Sequence, residues 1–359
     1  MLYIAIPIAI LSVAYGIAYF ITERPAPPTD FIPPDKKFNY IHPEGWKGTP
    51  VDQKKRFVNY EFPFYQDYIR LLRWLPSHVL NLVRNCGRRY EPVIHSGSEF
   101  LCKKNVLIWL GHASFYLDID GIKILIDPHF FNTSIYRRHT PAPIAPELFS
   151  GIDYILLSHD HADHCDKKSI RILIKNNPHV TLLTGLNMDT LLRSFTSLPL
   201  NIHTADWYRQ YPIASPLKIY FVPSRHYCRR LGGKFNGYLW GGFIIKYPSG
   251  PTGERTIYFE GDSGEGDHFA DIKHLFSPDL AMIGVGAYQP RWFMHPNHMS
   301  PEDAIAAFDV SGAAVMIPMH YGTFNLSNEN MDAPLTLMKR YAQERNIIIP
   351  VPGYLLQLV

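Results

Sequence analysis

The chain of 359 residues predicts a mixed α/β fold, and three observations carry that prediction. From Val106 onward, short apolar runs of strand length alternate with amphipathic helical patterns, which excludes an all-α or all-β architecture. Hydrophobic residues make up 46% of the sequence and aromatic ones 14%, ample for a large buried core. Histidines and aspartates recur just past the apolar runs, where α/β proteins usually place their sites.

Residues 1–22, MLYIAIPIAILSVAYGIAYFIT, carry no charged side chain. As a helix they would reach about 33 Å, close to the hydrocarbon thickness of a bilayer. A single-span membrane anchor is expected; no Lys or Arg precedes the apolar run and no small-x-small cleavage site follows it, which argues against a signal peptide. Arg24, Lys36 and Lys37 follow the span, so the positive-inside rule expects a cytoplasmic catalytic domain. Residues 23–50, with ERPAPPTDFIPPDKK, read as a proline-rich tether. Residues 51–105 read as an aromatic arm; its stretch FVNYEFPFYQDYIRLLRW is expected to pack on the core, an interfacial lipid-facing surface being the alternative.

Residues 106–359 read as one domain without internal repeats. Asp120-Gly121 suits a two-residue hairpin turn between strands at 115–119 and 122–126. Further strands are expected at 154–157, 180–183, 219–222, 243–246, 256–259, 280–284 and 315–318, with helices at 167–175 and 301–308. Ser300 can cap the second helix, Pro301 suits its first position, and Asp303 stands where a capping box wants an acid.

Charge and cysteine content exclude other classes. With 35 Lys+Arg against 32 Asp+Glu the chain has no basic field, so nucleic acid is not an expected partner. The four cysteines form no CxxC pair, so neither a zinc ribbon nor a disulfide framework is indicated. Cys165 and Cys228, beside the candidate ligands, read as small packed residues.

The stretch LLSHDHADHCD places His159, His161, Asp163 and His164 on a loop directly after an apolar strand. Imidazole and carboxylate donors at this spacing suit zinc or another borderline divalent ion, whereas calcium wants an oxygen-rich loop. Asp160 falls at a spacer position and receives no ligand role. Asp166 is expected to cap the following helix or to support a ligand. One loop holds only part of a site. His226 in FVPSRHYCRR, Asp262 in YFEGDSGEGD and His320 in MIPMHYGTF each follow an apolar strand and extend the set.

This order resembles the metallo-β-lactamase superfamily, and the resemblance implies a four-layer αβ/βα sandwich with two zinc or other divalent ions. It implies that His159, His161 and His226 hold one metal, that Asp163, His164 and His320 hold the other, and that Asp262 bridges them. Asp127, in LIDP, matches the family's strand-end aspartate and is expected to orient a ligating histidine. The segments IWLGHASFYLDIDGIKILIDPHF, LWGGF, GAYQPRWFMHPNHMSPEDA and MHYGTFNLSNE are similar to the N-acylphosphatidylethanolamine-hydrolysing phospholipase D family and its bacterial relatives.

That narrower similarity implies hydrolysis of N-acylphosphatidylethanolamine, or a related phospholipid, to phosphatidic acid and N-acylethanolamine by a metal-bridged hydroxide. Asp163, Asp262 and His298 would be the catalytic residues, His298 binding substrate or protonating the leaving group. Tyr288 and Arg291, with Trp292, would hold the phosphate or shape the lipid groove. His112, in LGHASF, matches a strand-turn histidine expected to be structural. Arg229 and Arg230 read as solvated charges, with headgroup contact as the alternative. Expected partners are a phospholipid substrate, the membrane and a second copy of the chain. The competing readings are a lactonase or phosphate-sugar hydrolase on the same fold and a non-catalytic envelope protein. A diiron oxidoreductase is disfavoured, because that branch carries glutamate where His161 stands.

Overall fold

The computed structural model describes residues 27–59, 68–85, 97–230, 233–251 and 253–358. Residues 27–50, expected as an extended tether, are docked on the core. β1 (Asp30–Ile32) pairs antiparallel with β2 (Thr49–Val51). The Trp46 ring meets Tyr208 edge-on at 5.3 Å, and Tyr40 donates its hydroxyl to Asp206 Oδ1 at 2.8 Å. Aromatic burial, invisible in the proline content, holds the segment down. Val51 and Phe57 reach the hydrophobic core. Helix α1 (Tyr68–Asn85) packs by Trp74, which lies 5.4 Å from Phe293, and leaves Val79, Leu80 and Val83 exposed.

Membrane anchorage requires correction. Among the described residues no helix is long and apolar enough to cross a membrane. The segment 1–22, on which that expectation rested, lies outside the described residues. α1 has the length but carries Arg70, Arg73 and Arg84, charges that are costly in a bilayer core. The membrane-anchored, cytoplasm-facing localisation is therefore withdrawn.

β3 (Val106–Gly111), β4 (Ser114–Ile119) and β5 (Ile122–Ile126) form an antiparallel meander. Asp120 and Gly121 both take positive φ, 52° and 85°, as the predicted two-residue hairpin requires. The chain then runs parallel through β6 (Tyr154–Leu157), helix α2 (Lys167–Asn176), β7 (Thr181–Gly185), helix α3 (Met188–Arg193) and β8 (Asn201–Ala205). Asp166 caps α2, accepting the Ser169 N–H at 2.8 Å.

The second sheet is antiparallel through β9 (Arg209–Gln210), β10 (Lys218–Val222), β11 (Gly242–Ser249) and β12 (Gly253–Phe259). Helix α4 (His268–Phe276) leads to β13 (Leu280–Gly284), parallel to β12. α5 (Arg291–Met294) and α6 (Pro301–Ser311) lead to β14 (Val315–Met319), parallel to β13. Ser300 and Asp303 form the predicted capping box at α6. After helix α7 (Ala333–Tyr341), β15 (Leu355–Gln357) returns to the first sheet beside β3.

The strand orders are β15-β3-β4-β5-β6-β7-β8 and β14-β13-β12-β11-β10-β9. Period-two alternation sends Leu107, Trp109, Phe115, Leu117, Ile124 and Ile126 inward, to a core shared with Phe221, Phe243, Ile257 and Phe259 of the opposite sheet. The intervening Ile108, Tyr116, Leu125 and Ile155 face outward onto Ile170, Leu173 and Ile174 of α2. A strand buried on both faces reads as a continuous apolar run, which is why these segments stood out in the sequence.

Candidate metal centre

Four ligand-bearing loops at strand ends meet at one rim of the sandwich, joined by the turn between β3 and β4 and by the end of β5. Three residues there take left-handed backbone although none is glycine: His112 (φ 55°), Asp127 (φ 42°) and His320 (φ 62°). Such conformations cost on the order of 1–3 kcal/mol each and persist where surrounding structure enforces them. Gly261 (φ 73°) is also required sterically, since a Cβ there would lie 2.6 Å from Gly241 O and 3.2 Å from Ser158 Cβ. This close approach carries Asp262 to the histidines of the β6 loop.

The donors fall into two groups. In the first, His161 Nδ1 lies 2.9 Å from His159 Nε2 and 3.1 Å from His226 Nε2. Asp262 Oδ2 stands 3.8 and 3.7 Å from those two Nε2 atoms. In the second, His164 Nε2 and His320 Nε2 lie 3.1 and 3.2 Å from Asp262 Oδ1, and each lies 3.7 Å from Asp163 Oδ2. Asp262 thus turns one oxygen to each group. His159, His161, His226 and Asp262 offer potential ligand atoms within 4.8 Å of one another, and so do His112, Asp163, His164 and His320.

The donors fit a divalent metal. His164 Nε2 and His320 Nε2 are buried without a hydrogen-bond partner, although a carboxylate oxygen is close. These atoms converge on a point instead of pairing with one another. Leaving such atoms unsatisfied is expensive, and a cation at the point of convergence would relieve it. Mixed imidazole and carboxylate donors suit zinc or a similar borderline ion.

Hydrogen bonds behind the donors fix their orientation. His164 Nδ1 lies 2.8 Å from Asp127 Oδ2, and Asp127 also accepts from Ser158 N at 2.8 Å and Ser158 Oγ at 2.5 Å. His226 Nδ1 lies 3.1 Å from the Asn297 carbonyl, which leaves Nε2 facing the site. Burial opposes charge on His164 and His320, but Asp262 and Asp163 outweigh it, holding His164 well above the usual histidine range and His320 at about 9. Conversely, burial opposes charge on Asp163 and Asp262, yet His164 and its neighbours hold both well below the usual carboxylate range. Burial first, then like charge nearby, keeps His159 neutral; burial likewise holds His226 down.

Residues 123–321 match the β-lactamase superfamily domain. The chain belongs to this superfamily. A Caenorhabditis elegans protein named N-acyl-phosphatidylethanolamine-hydrolyzing phospholipase D 1 is 30% identical over 233 residues, covering 60% of this chain and 63% of that protein. The chain therefore spans less than two thirds of that relative's length. A metal-dependent hydrolase of Caldivirga maquilingensis is 27% identical, covering 70% of this chain and 97% of its own. The fold is shared with the crystal structure of isothiocyanate hydrolase from Delia radicum gut bacteria, at a TM-score of 0.57 and 21% identity over 70% of this chain and 98% of that one. By their names these three are hydrolases, the Caldivirga maquilingensis protein a metal-dependent one.

Around this superfamily site the remaining sequence candidates separate. His298 lies at the rim, its Nδ1 3.9 Å from Asp262 Oδ2 and its ring 5.2 Å from those of His226 and His320. Burial holds its imidazole down to about 4, so it is neutral at neutral pH. Tyr288 is half-buried, on a loop whose Ala287 and Gln289 N–H groups donate to Glu329. Arg291 is not brought to the donors: both its terminal nitrogens donate to Asp303, at 2.5 and 3.0 Å, in a separate group with Glu265 and His295.

Three residues given minor roles by sequence brace the ligand loop. Asp160 Oδ1 accepts from Arg229 N at 2.8 Å, and Arg230 donates to Asp160 O at 2.6 Å and to Cys165 O. Burial pushes the Cys165 thiol up to about 12 and the Cys228 thiol well above its usual range, so both stay protonated.

His112 is the functional candidate that sequence reasoning underrated. It is fully buried, with Nε2 3.0 Å from Asp163 Oδ2 and its ring 4.1 Å from that of His320, and it joins the second donor group. Its main-chain O also accepts from His320 N at 3.0 Å. His112→Ala is expected to weaken divalent-metal binding by about 10- to 100-fold, as loss of a residue orienting a ligand does. Competition with a chromophoric chelator measures this; unchanged metal affinity would make His112 purely structural.

Proposed function

We propose that this protein is a dinuclear zinc phosphodiesterase of phospholipase D type, hydrolysing N-acylphosphatidylethanolamine or a related phospholipid to phosphatidic acid and N-acylethanolamine. The observation that supports it most is Asp262, whose Oδ2 faces His159 and His226 and whose Oδ1 faces His164 and His320. His159, His161 and His226 are assigned to one ion, Asp163, His164 and His320 to the other, and Asp262 to both. Two ions so held supply Lewis acidity towards a phosphoryl oxygen and an activated water.

The chain's own residues do the positioning. Asp127 keeps the His164 ring in the orientation that offers Nε2, and the Asn297 carbonyl does the same for His226. His298, neutral and at the rim, is suited to hydrogen-bonding an ester oxygen of the substrate. Arg291, engaged by Asp303, is given no phosphate-binding role in this reading. The choice of phospholipid rests on the name of the Caenorhabditis elegans relative and on the resemblance of the segment bearing His298.

The test is a metal count on the full-length protein followed by parallel assays. N-acylphosphatidylethanolamine is set against phosphatidylcholine, a lactone and bis-p-nitrophenyl phosphate. Two zinc ions per chain with release of N-acylethanolamine is the expected result. Hydrolysis of the lactone alone would overturn the substrate assignment while leaving the metal centre intact.

A further inference from the structure

His226 occupies an awkward place for a metal ligand. It lies four residues beyond Val222, the end of β10, in a connection to Gly242 that contains no helix or strand among its described residues. The nearest sheet contact is an isolated bridge of the preceding Arg225 to Gly264, whose N–H donates to Arg225 O at 2.8 Å; no ladder reaches His226 itself, although Nε2 must be held to a few tenths of an ångström to serve in a metal site.

The missing ladder is replaced by a side chain from far away in sequence. Asn59 Nδ2 donates to His226 O at 2.9 Å, and Asn59 Oδ1 accepts from His226 N at 3.2 Å. One carboxamide thus answers both main-chain groups of the histidine, as a neighbouring strand would. Asn59 is itself held firmly. Val51 and Phe57 form a bridge and are buried in the core, and the Arg56 guanidinium and Asp52 carboxylate pair in the interior at 2.7 Å. Phe57 N donates to Asn236 O, Asn236 Nδ2 donates to Phe57 O, both at 2.9 Å, and Asn236 Oδ1 accepts from Cys228 N at 3.1 Å. The hairpin at 49–59 is therefore tied to both ends of the segment 226–236. It lies outside residues 123–321, the part that matches the superfamily domain.

We propose that Asn59 is a positioning residue for the metal site, setting where His226 Nε2 stands. The assignment rests on the reading of His226 as a metal ligand. The N-terminal hairpin then serves the metal centre from outside the superfamily domain, and the chain's metal affinity depends on it.

Cobalt(II) titration of the full-length protein, followed by its visible d–d absorption, tests this. Asn59→Ala is expected to weaken one of two cobalt sites by about 10- to 100-fold and to alter that site's absorption, leaving the other site unchanged. Val51→Ala, which removes packing from the same hairpin without touching Asn59, controls for general loosening; it is expected to lower the melting temperature and keep both sites. Wild-type affinity and spectrum in Asn59→Ala would overturn the proposal, as would equal weakening in Val51→Ala. Wild-type protein that binds no cobalt would instead overturn the metal-centre reading, and this assignment with it.

Discussion

Asp262→Ala is expected to abolish turnover and to lose at least one metal. Asp262 turns one oxygen to each donor group, with Oδ1 3.1 and 3.2 Å from His164 and His320 and Oδ2 3.7 and 3.8 Å from His226 and His159. Its removal leaves those buried imidazoles without the shared carboxylate and the two sites without a link. A fall of about 1,000-fold or more in kcat/KM is expected, corresponding to about 4 kcal/mol of transition-state stabilisation. Asp262→Asn keeps the shape but not the charge and is expected to fall almost as far. Metal analysis beside steady-state kinetics checks both variants. Full occupancy with near-normal turnover would remove Asp262 from the centre.

Chelation is expected to lower thermal stability as well as activity. Asp127 and Asp262 are brought out of water beside His159, His164, His226 and His320, and several of the imidazole nitrogens lack hydrogen-bond partners. A ligand present at 1,000 times its Kd stabilises the folded state by about 4 kcal/mol. For a domain of this size that corresponds to a shift of roughly 10 °C. Calorimetry with and without chelator reads the shift, and adding zinc back should restore it. Identical melting curves would show that the donor cluster is stable without a cation.

Most of the candidate centre was legible from local signals. His159, His161, Asp163 and His164 lie within six residues, and His226, Asp262 and His320 each follow an apolar run that forms a strand, so spacing and position were enough to pick them out. The hairpin at Asp120-Gly121 and the capping box at Ser300 were likewise readable, because turn and cap chemistry depend on a few adjacent residues. Other roles were hidden by distance along the chain. His112 meets a carboxylate 51 residues on, and Asn59 meets His226 across 167 residues. The tether reading of residues 23–50 followed prolines and missed Trp46, whose partner Tyr208 comes from the far side of the sequence. Arg291 looked free to bind phosphate until the capping aspartate Asp303 was seen to engage it.

The amino-acid order alone established a mixed α/β chain, most of the strands of its two main sheets and the residue types able to hold divalent metal. Those are properties of periodicity and spacing over short stretches. Which donors share a carboxylate, which histidine is supported from behind, and that Asn59 clasps the main chain of His226 were decided by tertiary structure. The physical reason is that each depends on two sheets packing face to face with their strand ends at one rim, where a few ångströms separate side chains that the sequence keeps far apart.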